Sequence, residues 1–288
     1  MIMDRLKFRL FKSHLLHYSV VVLAALMAVP LVAILGKVAV EGVRNLTLEF
    51  LFRPAPTTYE AVIASTTGQA IPGGIANGLV GTLLMLIMAS LFSIPVGILS
   101  GVFLAEKRET AFAKVSSYMT DILQGTPSII LGVIVYAWIV IPMRGYSAIA
   151  GSVALSIMML PLIVRSTEEA VKMLSSSYKE ASLALGGSYF RTVWKVLIPS
   201  AFGQIFTGVL LAVSRIVGET APLMFTALGC AIVQWNVAQP MSSVPLLIWQ
   251  FFNNPTLQPL LWSASLVLLF FVLLLNVSSK IVANKWKI

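Results

Sequence analysis

Arg215 and Glu219 are charged residues four apart within an apolar run, 201–222, that is long enough to enter a membrane. An arginine at mid-helix costs about 2.5–3.5 kcal/mol on insertion scales, so such residues are retained for a purpose. The i,i+4 spacing predicts both charges on one helix face, where each partly neutralises the other. Arg215 falls about 24 Å beyond Pro199 at 1.5 Å per residue, in the outer half of a bilayer. Guanidinium is a planar donor fork that matches two oxygens of an oxyanion. Glu219 can hold that fork until an anion arrives, and it can accept a hydrogen bond from a protonated oxyanion. Phosphate carries such a proton at neutral pH and sulfate does not. The competing reading is a structural ion pair between packed helices.

Other chemistry is missing. No G-x-x-x-x-G-K-[ST] cradle for nucleotide phosphates occurs: Gly36-Lys37 is the only Gly-Lys pair, and position 31 is Leu. There is no H-E-x-x-H, and the two histidines, His14 and His17, precede the first apolar run, where they read as interfacial. The single cysteine, Cys230, permits no internal disulfide. No nucleophile–base pair stands out, so no catalytic residue is assigned and an enzyme is not expected.

The elements that must position the charged pair follow from composition. Of 288 residues, 58% are apolar and 11% charged, and mean hydropathy is +0.92. Soluble domains carry about 25% charged residues, so a water-facing surface cannot be covered and disorder is excluded. Apolar runs at 18–36, 78–105, 129–142 (joined to residues before Pro127), 147–164, 201–222 and 260–277 predict six transmembrane helices. The first run is too long for a cleaved signal peptide, and Lys37 stands where small residues would prepare cleavage.

Basic residues test that count. Fifteen fall on one side: Arg5 to Lys12, Lys107 to Lys114, Arg165 to Lys195, and Lys280 to Lys287. Four fall on the other (Lys37, Arg44, Arg53, Arg144), and Arg215 lies within a span. The asymmetry predicts both termini cytoplasmic. It also accounts for the net charge of +9 without nucleic acid, since the basic residues form no patch interleaved with aromatics.

The expected organisation is a cytoplasmic segment 1–17, a first helix 18–40, an outer loop 41–77, a core 78–282 and a cytoplasmic tail 283–288. The outer loop carries Pro54, Pro56, Pro72 and Gly73-Gly74, which predict irregular structure. Segment 223–259 is apolar, and its Trp235, Trp249, Phe251 and Phe252 suit the outer interface. The inner segment 166–199 reads as helical, with a break at Gly186-Gly187 and a stop at Pro199. Gly97-x-x-x-Gly101 reads as ordinary close packing. There is no internal repeat, which argues against a secondary transporter.

Glu180-Ala181-Ser182-x3-Gly186-x9-Val196-x-Ile198-Pro199 resembles the E-A-A-x3-G-x9-I-x-L-P signature of type I ABC importer permeases. Ser182, Val196 and Ile198 are mild departures. Arg215-Ile216-Val217-Gly218-Glu219-Thr220-Ala221-Pro222-Leu223 and on to Leu228 resembles the R-x-x-G-E-T-A-P-L-x-F-T-A stretch of the phosphate-importing (Pst) members. Gly73 to Asn77, Asp121 to Ile129 and Arg165-Ser166-Thr167-Glu168 fit as well, so the resemblance runs from about residue 70 to the end.

It implies an all-α permease of the cytoplasmic (inner) membrane, with phosphate as its solute. Its implied partners are a second, PstC-like permease, a PstB-like ATPase dimer and a periplasmic or lipid-anchored PstS-like phosphate-binding protein. ATP and Mg serve the partner ATPase, and no cofactor belongs to this chain. The loop 166–199, with Glu180, Ala181, Ser182 and Gly186 at its bend and Pro199 at its end, is implied to dock on that ATPase. Arg215, Glu219, Thr220 and Arg165 are implied to line the pathway, although an inner-end arginine such as Arg165 is also a common topology anchor. A permease for sulfate, molybdate or phosphonate, and an intramembrane lipid-phosphate phosphatase, are the alternatives.

Overall fold

The computed structural model describes residues 2–69 and 71–285. Lys287 and the end of the 283–288 tail lie outside the described residues. Among the described residues every regular element is a helix. The first, α1 (Ile2–Arg44), extends past the expected 18–40 at both ends. From Leu15 to Val43 its large apolar side chains, Val38 apart, are exposed. It is held at its far end, where Gly42 lies against Trp262 and Leu266 and Lys37 sits 4.8 Å over the Trp262 ring.

The segment 41–77 contains α2 (Leu48–Phe52) and α3 (Thr58–Thr67). Thr57 and Glu60 form a reciprocal cap at the start of α3, satisfying donors that a helix start leaves open. Irregular chain between these helices is fixed by Asn77, whose Oδ1 accepts from Ala55 N–H at 3.0 Å and whose Nδ2 donates to Cys230 O at 2.7 Å. Gly74 fits there because a Cβ would stand 1.9 Å from Phe50 O.

Two long helices make the backbone of the core, α4 (Ala76–Glu106) and the later α8 (Ala148–Lys172). Met85 meets Gly151, Ser93 meets Met159, Gly97 meets Ile163 and Gly101 meets Thr167. The constant offset means that the two helices run parallel. The α4 residues recur every fourth position, which places them in one row along the helix. Gly97 and Gly101 thus serve close helix packing, as expected.

Parallel neighbours require the chain between them to cross back. It does so through α5 (Ala111–Gly125), then α6 (Ser128–Val135), a π turn (Tyr136–Val140) and α7 (Ile141–Met143). The two halves are bent by 106°. The straight third span expected at 129–142 is therefore a broken one. Pro127 lacks an N–H and disfavours helical geometry at Thr126, so the helix ends there. Among the described residues five helices are long and apolar enough to cross a membrane, or six when the bent pair counts as one.

Beyond α8 come α9 (Ser176–Ala184) and α10 (Tyr189–Thr192), then a π turn (Val193–Leu197) and α11 (Ile198–Val217). Pro199 does not stop the helix as expected. Ile198 N–H reaches back five residues to Val193 O, and this widened turn absorbs the donor that proline lacks. The chain ends with α12 (Ala221–Thr226), α13 (Val244–Asn253) and α14 (Gln258–Lys285). Of the rings expected at the outer interface, Trp235 and Phe252 are exposed, but Phe251 is buried against Phe50, Ile75 and Leu260. Ser243 caps α13 and turns its apolar face inward onto α4 and α14.

Candidate functional site

Helix α11 delivers Arg215 in its last turn and ends at Val217. Glu219 N–H bonds back to Ile216 O at 3.0 Å, and α12 begins two residues later with Pro222 in its first turn. Glu219 and Thr220 thus sit in a break between two helices, and the expected single helical face for both charges gives way to a helix end plus a turn. The expected span 201–222 is shortened to match.

Arg215 Nη2 lies 3.6 Å from Glu219 Oε1, an ion pair longer than a hydrogen bond. Its side chain is 51% exposed and that of Glu219 is 16% exposed. The neighbouring Ser214, Ile216 and Val217 are buried, and Ser214 lies 3.3 Å from Asn276 on α14. Gln204 and Leu211, eleven and four residues before Arg215, share its exposed face. A half-exposed guanidinium cannot face hydrocarbon cheaply, so this face of α11 looks onto water or another polypeptide. Thr220 stands at the start of α12 and makes no side-chain cap there.

Arg165 is placed elsewhere. Gly208 of α11 meets Ser166 of α8, and Arg215 is seven residues further on, about 10 Å along the axis. Arg165 donates to Glu168 Oε2 at 2.6 Å, to Asp121 Oδ1 at 2.5 Å and to Ser117 Oγ at 2.9 Å. Lys172 also pairs with Glu168, whose side chain is 7% exposed. The structure does not bring Arg165 together with Arg215 and Glu219. It makes Arg165 the tie between α5 and α8. Asp121 and Glu168 were in view in the sequence only as parts of matching stretches: the Asp121 contact spans 44 positions and leaves no local pattern, whereas Glu168 stands three residues from Arg165, a spacing that could have signalled the pair.

At the other end of α11 the inner segment is folded into a compact knob. Glu180 and Ala181 are exposed on α9, and Ser182 Oγ lies 2.8 Å from Thr192 Oγ1 on α10. Gly186 adopts φ +78 with open space around it, a left-handed bend that glycine reaches without a steric cost. Leu185 beside it is 90% exposed and Phe190 is 71% exposed. Apolar tips on a polar knob suit a protein partner. Pro199 stands at the start of α11, on the path from knob to membrane helix. Among the described residues no cluster of potential metal ligands occurs.

Residues 93–287 match the family of binding-protein-dependent transport system inner membrane components. The phosphate transport system permease protein PstA of Pasteurella multocida is 36% identical over 77% of this chain and 80% of its own length. PstA of Xylella fastidiosa (strain Temecula1) is 40% identical over 75% of this chain and 77% of its own length. The chain belongs to the PstA family of ABC importer permeases. A probable PstA of Methanocaldococcus jannaschii is 31% identical over 83% of this chain and 86% of its own length. An inward-facing structure of the MetNI methionine ABC transporter superposes with a TM-score of 0.59 at 20% identity, covering 74% of this chain and 94% of that one. That likeness is one of fold, and it agrees with the all-α type I permease architecture expected here. Membership of this family makes the chain a multi-pass transport subunit rather than an enzyme. It also makes an ATPase, a binding protein and a second permease its expected class of partners.

Proposed function

We propose that this chain is one half of a channel that imports inorganic phosphate across the cytoplasmic membrane. The observation that carries the reading is the half-exposed, loosely paired Arg215 at the broken end of α11, within the residues 93–287 that match the transport-component family. The exposed face of α11 meets a second, PstC-like permease, and the space between them is the solute cavity. A PstS-like protein delivers phosphate to the outer loops. Both termini and the knob are cytoplasmic, and the knob docks on a PstB-like ATPase dimer that uses ATP and Mg.

Arg215 takes the anion by a two-pronged contact, and the 3.6 Å pair with Glu219 is weak enough to open. Thr220 adds a hydroxyl at the same level. Moderate affinity is required, because a site held by several uncompensated charges would not release its ion. ATPase closure pulls the knob and rocks the helices, opening the cavity alternately to the two sides. Arg165 acts as the inner tie between α5 and α8. The reading is tested by labelled-phosphate uptake in phosphate-starved cells with the chain deleted or restored, in excess sulfate. Uptake that follows the chain and ignores sulfate supports it. Uptake unchanged on deletion, in cells without a second phosphate system, refutes it.

A further inference from the structure

The docking knob is attached to the rest of the chain in two ways. One is covalent, through its own ends at α8 and α11. The other is lateral and centres on Glu106, the last residue of α4. Glu106 Oε2 pairs with Lys179 Nζ on α9, and it accepts from Tyr189 Oη at the start of α10 at 3.4 Å. The Glu106 side chain is only 11% exposed. Lys107 Nζ and Lys179 Nζ each lie over the Tyr189 ring, 5.5 and 5.6 Å from its centroid, within cation–π range.

Helix α9 packs on α10 and on the π turn before α11. It is otherwise a surface element, and all of its residues are at least partly exposed. Glu106 is therefore the point at which α9 and α10 are gripped together by a membrane helix. That helix is locked along its length to α8 through Gly97, Gly101, Ser93 and Met85. A displacement of the knob applied at Glu106 moves α4 and α8 as one body, because close-packed rows do not deform gradually.

We propose that Glu106 is the positioning residue that converts movement of the docking knob into movement of the α4–α8 pair, with Lys179 and Tyr189 as its grips. This rests on the importer reading above. Without the grip the knob still engages its ATPase through Glu180, Ala181 and Leu185, but it swings on its chain ends and the membrane helices follow less. ATP hydrolysis and transport then separate. Lys179 is the complementary member, and its charge, rather than its length, is what Glu106 needs.

The test uses the full complex in proteoliposomes with its binding protein. Parent, Glu106→Gln, Lys179→Glu and the reversed pair Glu106→Lys with Lys179→Glu are compared, all counted per assembled complex. The expected result is that Glu106→Gln and Lys179→Glu each cut phosphate moved per ATP hydrolysed about fivefold or more. The KM for phosphate stays unchanged, and the reversed pair recovers most of the ratio. A second readout does not depend on the cargo: spin labels at Leu99 on α4 and Phe270 on α14, both exposed, placed by cysteine in a Cys230→Ser background. Their distance is expected to change on ATP binding in the parent and to stay fixed in Glu106→Gln. An unchanged transport ratio in the variants, or an ATP-driven distance change that persists in Glu106→Gln, overturns the proposal. Loss of assembly alone, with normal coupling in the complexes that form, overturns it too. If the parent moves no phosphate, the importer reading fails, and the distance measurement still decides the role of Glu106.

Discussion

Adding one methyl group at Gly101 probes the helix pair on which the whole account depends. A Cβ at this position would stand 2.6 Å from both Thr167 Cβ and Val164 O, against 3.4 Å for ordinary contact. The shortfall is 3.4 − 2.6, or 0.8 Å. Neither neighbour can yield, since one is a fully buried β-branched stem and the other is backbone. The helices must part by a comparable amount, and a gap of about 0.5–1 Å forfeits a quarter to a half of each facing dispersion contact. Overpacking of this kind costs about 1–3 kcal/mol. Alanine also gains helix propensity over glycine, by about 1 kcal/mol, which would mask part of the loss. Gly36→Ala in α1 removes that ambiguity: it carries the same propensity gain, and nothing lies within 4 Å of its Cβ. Denaturant titration of the purified chain in detergent should therefore place Gly101→Ala about 1–3 kcal/mol below Gly36→Ala. Equal midpoints for the two variants would refute close packing as the reason for glycine here.

Burial grades the two acids around Arg165, with side-chain exposure of 7% for Glu168 and 57% for Asp121. Glu168→Gln should then cost about 1–3 kcal/mol in the same titration, and Asp121→Asn under about 1 kcal/mol; similar losses would contradict the ranking. At the outer loop, the Thr57 N–H and hydroxyl hold the Glu60 carboxylate below its ordinary pKa. A depressed carboxylate stabilises at pH values above its unfolded pKa and loses that contribution as pH falls through the folded one. The protection factor of amides at the start of α3, exchange corrected for its intrinsic pH dependence, should accordingly fall in acid and be indifferent to pH near neutrality; Glu60→Gln should remove the transition, and Thr57→Ala, which keeps the Thr57 N–H, should only weaken it. Glu219→Gln should raise the ratio of sulfate to phosphate uptake if Glu219 senses the proton on phosphate, and an unchanged ratio would remove that role.

Much of this was legible from residue types alone. The apolar runs marked each of the five long helices apolar enough to cross a membrane, because their length and composition are imposed by the bilayer rather than by packing. Arg215 and Glu219 were visible because charges are rare in such runs. The bend at Pro127 and the continuation through Pro199 were not both readable, since proline either ends a helix or is absorbed by a π turn according to what packs around it. Phe251 looked interfacial from composition, yet the cap at Ser243 turns it into the core. Arg165 could be seen as an arginine at an inner end with Glu168 three residues on along the same helix, but its partner Asp121 emerges only once α5 folds across α8. Glu106 gave no sign at all: a carboxylate at the end of an apolar helix looks like any boundary charge until Lys179 and Tyr189 arrive from 73 and 83 residues away.

The most direct test of the central claim is phosphate uptake by the reconstituted complex carrying Arg215→Gln, measured per assembled complex with sulfate in excess. A hydrogen bond to a charged group contributes about 1.5–3 kcal/mol, so losing the guanidinium should lower uptake by about tenfold or more. Normal uptake in that variant would make Arg215 a structural partner of Glu219 and place the solute path on other helices.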